Sequence, residues 1–167
     1  NILLLCVSND EAVKDVLFGS NGAAKNLKEG SSVIDLSTIS PETAVQMSIK
    51  LGEGGVKYFD APVTGGTEGA IAGELTIFFG GDQKDILYFQ QIFDAIATSI
   101  YPFGNTGKGQ EVKLINQILV AGSYVAVAEA MALGQKLNLP MENVVPALSK
   151  GAGSSWALIN RSEGMLK

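Results

Sequence analysis

Three short stretches of this chain hold residue types that could do chemistry. The first is Gly107-Lys108-Gly109-Gln110-Glu111-Val112-Lys113-Leu114-Ile115-Asn116-Gln117. On a helix, Lys113 shares a face with Asn116 at i+3 and Gln117 at i+4. The most apolar run in the chain follows at once. A partly buried lysine there would lose basicity and could trade protons near neutrality. The alternative is a lysine whose stem packs while its ammonium reaches water. The second stretch is Asp60-Ala61-Pro62-Val63-Thr64-Gly65-Gly66-Thr67-Glu68-Gly69-Ala70. Its glycines let backbone N–H groups converge on a carboxylate or phosphate. The alternative is a tight turn that only needs positive φ. The third is Asp35-Leu36-Ser37-Thr38-Ile39-Ser40-Pro41. It sets two hydroxyls, Ser37 and Thr38, beside a helix N-terminus; a capped strand-to-helix turn would look the same.

What the chain lacks narrows the chemistry further. It has 167 residues and no histidine, which excludes Ser-His-Asp and Cys-His nucleophiles and His-ligated zinc. A single cysteine, Cys6, excludes an intrachain disulfide and a cysteine metal cage, so no metal is expected. A net charge of −5 argues against a nucleic-acid surface. Charged residues make up only 17%, against about 25% for a typical domain. That sparseness predicts a surface covered by other segments or by another subunit. Gly107-Lys108-Gly109 lacks the spacing of a P-loop, and no G-x-G-x-x-G occurs. The longest uncharged run, residues 114–128, is shorter than the ~18 residues of a membrane span, so no membrane partner is expected.

Alternating elements must position these stretches. Strands are predicted at residues 2–7, 32–36, 56–60, 75–79 and 99–103. Helices are predicted at 10–17, at 41–51 behind the Ser40-Pro41-Glu42 start, and at 82–97 behind Asp82. Residues 64–73 read as a loop or distorted turn. This alternation predicts an α/β fold with a mostly parallel sheet, in which each candidate stretch follows a strand. From Gly107 the texture becomes all-helical. Residues 109–138 read as one helix, roughly 45 Å long if unbroken. Its middle, 114–131, is apolar almost all round and is expected to be buried on every side. Shorter helices follow at 141–150 and 155–166. The expected division is 1–106 and 107–167. The chain opens inside a hydrophobic run without Met and without a basic leader, which reads as a strand whose preceding residues are missing.

The order of the motifs carries a resemblance. Asp-x-Ser-Thr-x-x-Pro, then Asp-Ala-Pro-Val-Thr-Gly-Gly-x-x-Gly-Ala-x-x-Gly-x-Leu, then Gly-x-Gly-x-x-x-Lys-x-x-Asn resembles the β-hydroxyacid dehydrogenase family over nearly the whole chain. That family includes 3-hydroxyisobutyrate dehydrogenase and tartronate semialdehyde reductase. The form Lys113-Leu-Ile-Asn116-Gln117 followed by Glu129-Ala130 looks closest to the latter branch. The resemblance implies an incomplete Rossmann-like sheet and a partial all-helical domain joined by a long interdomain helix. It also implies NAD or NADP as cofactor and a small carboxylic acid as substrate. Lys113 matches the catalytic lysine, the general acid/base for the carbonyl or hydroxyl oxygen. Thr64, Gly65 and Gly66 match the substrate-carboxylate loop, with Thr where Ser is common. Asn116 matches the polar residue that helps hold substrate, and Gln117 takes the place where relatives often have Asn. Thr38, with its neighbour Ser37, matches a position near the nicotinamide. Val7 and Ser8 match a Leu-Pro pair that lines the cofactor, with Ser replacing Pro.

The resemblance further implies a cytoplasmic homo-oligomer, dimer or tetramer, packed through the long helix. It places the glycine fingerprint upstream of Asn1 and a second lysine downstream of Lys167, so the chain alone is expected to be inactive. Two rival readings remain: a non-catalytic relative used for binding or assembly, and a phosphate-binding module. The first is expected to have lost its lysine, whereas Lys113 is present. The second needs basic residues around the glycines, but residues 64–74 carry only Glu68 and Glu74 as charges.

Overall fold

The computed structural model describes residues 1–167, and these form two compact units, Asn1–Leu114 and Ile115–Lys167. In the first unit, β1 (Ile2–Leu5), β2 (Ser32–Asp35) and β3 (Lys57–Asp60) form a parallel sheet in the order β1-β2-β3. Helices α1 (Asp10–Phe18) and α2 (Pro41–Gly52) make the crossovers. Side-chain caps start both helices. Asn9 accepts the Ala12 N–H at 2.8 Å, and Ser40 accepts the Thr43 N–H at 3.2 Å with Pro41 in the first turn. Val13, Leu17, Ala44, Met47 and Leu51 on these helices pack with Leu5, Val33 and Tyr58 of the strands.

A second sheet holds β4 (Val63–Thr64), β5 (Leu75–Phe79) and β6 (Ala97–Pro102), with β4 antiparallel and β6 parallel to β5. It adjoins the first. The Gly80 N–H donates to the Asp60 carbonyl at 2.7 Å, and the Phe78 N–H to the Pro62 carbonyl at 2.9 Å. Phe59, Phe79, Phe89 and Phe93 fill the core beneath, with ring centroids 5.3–6.1 Å apart. Such aromatic pairs contribute about 0.5–1.5 kcal/mol each beyond their buried area.

Three expectations are corrected. Residues 64–73 are not a loop: β4 leads into α3 (Gly66–Ala72), which ends on left-handed Gly73. The single helix expected at 82–97 is two, α4 (Gln83–Tyr88) and α5 (Gln90–Phe93), parted at Phe89. Phe89 leaves helical geometry there (φ −98°, ψ 9°) and is buried against three other rings. The strand expected at 99–103 begins earlier, at Ala97. There Ala97 pairs with Leu75, with an irregularity in register before Thr76.

The long helix α6 (Lys108–Lys136) enters the second unit, which also holds α7 (Met141–Leu148) and α8 (Trp156–Met165). The expectation of burial on every side is overturned. Val127 and Met131 are buried with Ala157 and Leu158, but Ile118 is 73% and Leu119 68% exposed. The reason is geometric: α7 and α8 cover one flank of α6 and leave the rest bare. By length and composition α6 also contains a window apolar enough to cross a membrane, which the uncharged-run criterion missed.

Gly109 lets the first turn of α6 close on the end of the sheets. A Cβ there would collide with the Phe78 carbonyl oxygen and stand 2.8 Å from Asp60 Oδ2. Gly109→Ala is therefore expected to cost about 1–3 kcal/mol by overpacking. A drop in the urea unfolding midpoint at unchanged slope checks this.

Candidate active site

The carboxyl ends of the three parallel strands form one row, since Leu5 pairs with Asp35 and Asp35 with Asp60. The loops that leave this row carry Val7, Ser8, Ser37 and Thr38. Ser37 is buried, and its hydroxyl oxygen accepts the Val7 N–H at 2.9 Å. That bond ties the loop after β1 to the loop after β2. It leaves Thr38 as the exposed hydroxyl of the pair, beside half-buried Val7 and exposed Ser8. An apolar side chain flanked by exposed hydroxyls at a parallel-sheet edge suits the nicotinamide side of a dinucleotide. These residues fit that end of the group only. The turn between β1 and α1 is Cys6-Val7-Ser8-Asn9, with no glycine to admit a pyrophosphate.

Asp60 closes β3 and is fully buried. One carboxylate oxygen accepts the Gly107 N–H at 2.7 Å and the other the Gln110 N–H at 2.9 Å. It thus caps N–H donors at the start of α6 that lack partners within the helix, where the helix dipole also favours an anion. Burial nevertheless dominates and pushes the Asp60 carboxyl above its ordinary value, while the two N–H bonds pull the other way. Asp35, also buried, accepts the Ser37 N–H at 2.8 Å and the Tyr58 hydroxyl at 2.7 Å. Burial first, and the Asp35 charge second, push the Tyr58 phenol upward.

Lys113 follows on the same helix, only 8% exposed. Its ammonium donates to the Val63 carbonyl at 2.7 Å. The structure thereby brings Lys113 to the strand that leads into Thr64, Gly65 and Gly66. Burial holds the Lys113 ammonium below the ordinary lysine value. Gly65 and Gly66 adopt positive φ, 133° and 66°, and start α3; Thr64 is half-buried and Gly66 exposed. Consecutive positive φ values there require glycine. Asn116 and Gln117 belong to the second unit, where Asn116 Nδ2 donates to the side-chain oxygen Oε1 of Gln117 at 2.9 Å.

Asp60 and Gln110 lie inside the motifs quoted above, where the sequence by itself assigns them no part. The available signals were a carboxylate closing an apolar strand and an amide one turn before Lys113. Their partners lie 47–73 residues away in the chain, beyond any local pattern.

An α/β domain with a parallel sheet, hydroxyls at its carboxyl edge and a buried lysine beyond it has the architecture that dinucleotide-binding proteins share. Comparison with known proteins narrows this. Residues 1–104 match the NAD binding domain of 6-phosphogluconate dehydrogenase, and residues 107–167 match the NAD-binding domain of NADP-dependent 3-hydroxyisobutyrate dehydrogenase. The chain belongs to the family of the NAD binding domain of 6-phosphogluconate dehydrogenase. It is 36% identical to the L-threonate dehydrogenase of Haemophilus influenzae, across 99% of this chain and 55% of that enzyme. It is also 36% identical to the 2-hydroxy-3-oxopropionate reductase of Escherichia coli, across 100% of this chain and 57% of that enzyme. The crystal structure of a 3-hydroxyisobutyrate dehydrogenase from Salmonella typhimurium superimposes with a TM-score of 0.90 at 34% identity, covering 99% of this chain and 57% of that one. The chain thus spans just over half the length of these relatives.

Asp60→Asn would turn an NH2 toward one of the two helix N–H donors. It is expected to cost about 1–3 kcal/mol at neutral pH. Because folding raises the Asp60 value, the stability its titration adds is fully present below the ordinary aspartate value. That stability is lost as pH rises through the raised value. The margin of the wild type over Asp60→Asn should therefore narrow from acid to neutral pH, read by urea unfolding across that range.

Proposed function

We propose that the protein carrying this chain transfers a hydride between NAD or NADP and a small 3-hydroxy acid or its semialdehyde. The observation that carries the reading is Lys113: buried, depressed in basicity, and bonded to the strand that leads into Gly65-Gly66. Val7, Ser8, Ser37 and Thr38 are the residues proposed to meet the cofactor, which supplies or accepts the hydride when bound. Thr64, Gly65 and Gly66 receive the substrate carboxylate, with Asn116 and Gln117 as further substrate contacts. Anchoring the carboxylate sets which carbon faces the cofactor.

Lys113 then handles the proton. On reduction its ammonium donates to the carbonyl oxygen as negative charge builds there; on oxidation the neutral amine takes the hydroxyl proton. Burial serves this role by bringing the two protonation states closer in energy. Tartronate semialdehyde and methylmalonate semialdehyde are the substrates to try first, given the relatives named above. Residues 1–106 form the cofactor side of the proposed enzyme and 107–167 its helical part. The bare apolar flank of α6 supports a homo-oligomer, which we propose to be cytoplasmic.

Lys113→Ala in the full-length protein is expected to lower the rate of semialdehyde reduction about 10²–10⁴-fold, the range for loss of a general acid. Consumption of NADH or NADPH measures it. In the wild type, reduction should weaken as pH rises through the depressed Lys113 value, because the donating ammonium is lost. Oxidation should strengthen over the same interval. Equal turnover by wild type and variant would sink the reading.

A further inference from the structure

We infer that Gln110 is a positioning residue, which sets Lys113 in register with the loop after β2 through its side-chain amide. The inference rests on the dehydrogenase reading, in which that loop presents Thr38 to the nicotinamide. Gln110 is wholly buried, one turn before Lys113. Its Oε1 accepts the Ile39 N–H at 3.2 Å, and its Nε2 donates to the Ser37 carbonyl at 2.8 Å. These two contacts flank Thr38 on both sides.

The amide is also held from behind. The Gln110 backbone N–H donates to Asp60 at the end of β3. The loop it grips is itself fixed, because Ser37 bonds Asp35 through its N–H and Val7 through its hydroxyl oxygen. Tyr58 completes the Asp35 carboxylate. The side chain therefore joins the loops after β1 and β2 to the first turn of the helix that carries Lys113. A primary amide suits this place because one partner is a donor and the other an acceptor. A hydrophobic residue would leave the Ile39 N–H and the Ser37 carbonyl buried without partners. A carboxylate would set two acceptors against one N–H and one carbonyl.

That mismatch supplies the test. In the full-length protein, Gln110→Met is expected to lower kcat for semialdehyde reduction about 100-fold, the scale of a misplacement near 1 Å. KM for the acid should stay close to wild type, since the carboxylate loop is separate. Gln110→Glu should resemble Gln110→Met where its carboxylate is ionised, toward the alkaline end of the range. It should recover toward wild type in acid, because a protonated Glu both donates to the Ser37 carbonyl and accepts from Ile39. The titratable groups bonded around this position are Asp60, which accepts the Gln110 N–H, and Asp35, which accepts the Ser37 N–H and the Tyr58 hydroxyl. The two carboxylates resist a third charge and favour that protonation.

A second readout needs no turnover: the pH midpoint for acylation of Lys113, followed by mass spectrometry. Loosening the helix should move the midpoint in Gln110→Met toward that of an ordinary lysine while the protein stays folded. If neither kcat nor the midpoint changes in Gln110→Met, the proposal is wrong. It is equally wrong if KM rises in step as kcat falls, or if Gln110→Glu shows no recovery in acid. A wild type without turnover whose midpoint still shifts in the variant would overturn the dehydrogenase reading and uphold the positioning of Lys113. Should Gln110→Met fail to fold, the acid recovery of Gln110→Glu decides.

Discussion

A carboxylate buried at the end of a strand, with no cation beside it, is the constraint around which this domain closes. The Asp60 carboxylate is held by backbone N–H donors, those of Gly107 and Gln110 among them. Removing a carboxylate from water costs several kcal/mol, and two charge-assisted bonds at a helix N-terminus offset part of it. The balance explains why the group holds its proton more tightly than a free aspartate does. It also dictates neighbours. A Cβ at Gly80 would strike the Asp60 carboxylate, and one at Gly109 would press on it from the helix. Strand β5 and helix α6 can approach only because both positions lack a side chain.

The same edge carries a second buried carboxylate. Asp35 and Asp60 are register partners on neighbouring parallel strands, yet each is satisfied by its own donors. Asp35 takes the Ser37 N–H and the Tyr58 hydroxyl, and so fixes the loop on one side. Asp60 takes the helix on the other. Gln110 joins the two sets. A polar seam with every member paired is stiffer than its separate bonds suggest, because the low dielectric penalises any opening. Loops that would otherwise be the mobile part of an α/β domain are thereby held against the sheet.

Much of this was legible because its causes are local. Ser40-Pro41 starts a helix by capping and preset φ, and apolar runs bounded by Gly mark the strands. What stayed hidden depends on distant partners. Four glycines from Gly65 to Gly73 argue for a loop, yet Gly65 and Gly66 turn the chain into α3, Gly73 ends it in left-handed geometry, and Gly69 lies inside the helix. The division at Phe89 follows from a ring that must face three others. The lysine was readable because an apolar run follows it, whereas the importance of Gln110 depends on carbonyl and N–H groups 71 and 73 residues earlier. The apolar character of α6 was plain in the sequence. Its burial was not, because burial is a property of neighbours, and α7 and α8 reach one flank only.

The partner chosen for Lys113 completes the logic. A carboxylate beside the ammonium would favour the charged form and lift its basicity, opposing the effect of burial. The Val63 carbonyl instead directs the side chain without adding a formal charge. Position and protonation energy are thus controlled separately: the carbonyl and the capped helix set where the nitrogen lies, and exclusion of water sets how readily it gives up its proton. Both conditions trace back to the start of α6. The close approach that buries Lys113 requires Gly109, and the direction of the helix is fixed by the Asp60 carboxylate it meets.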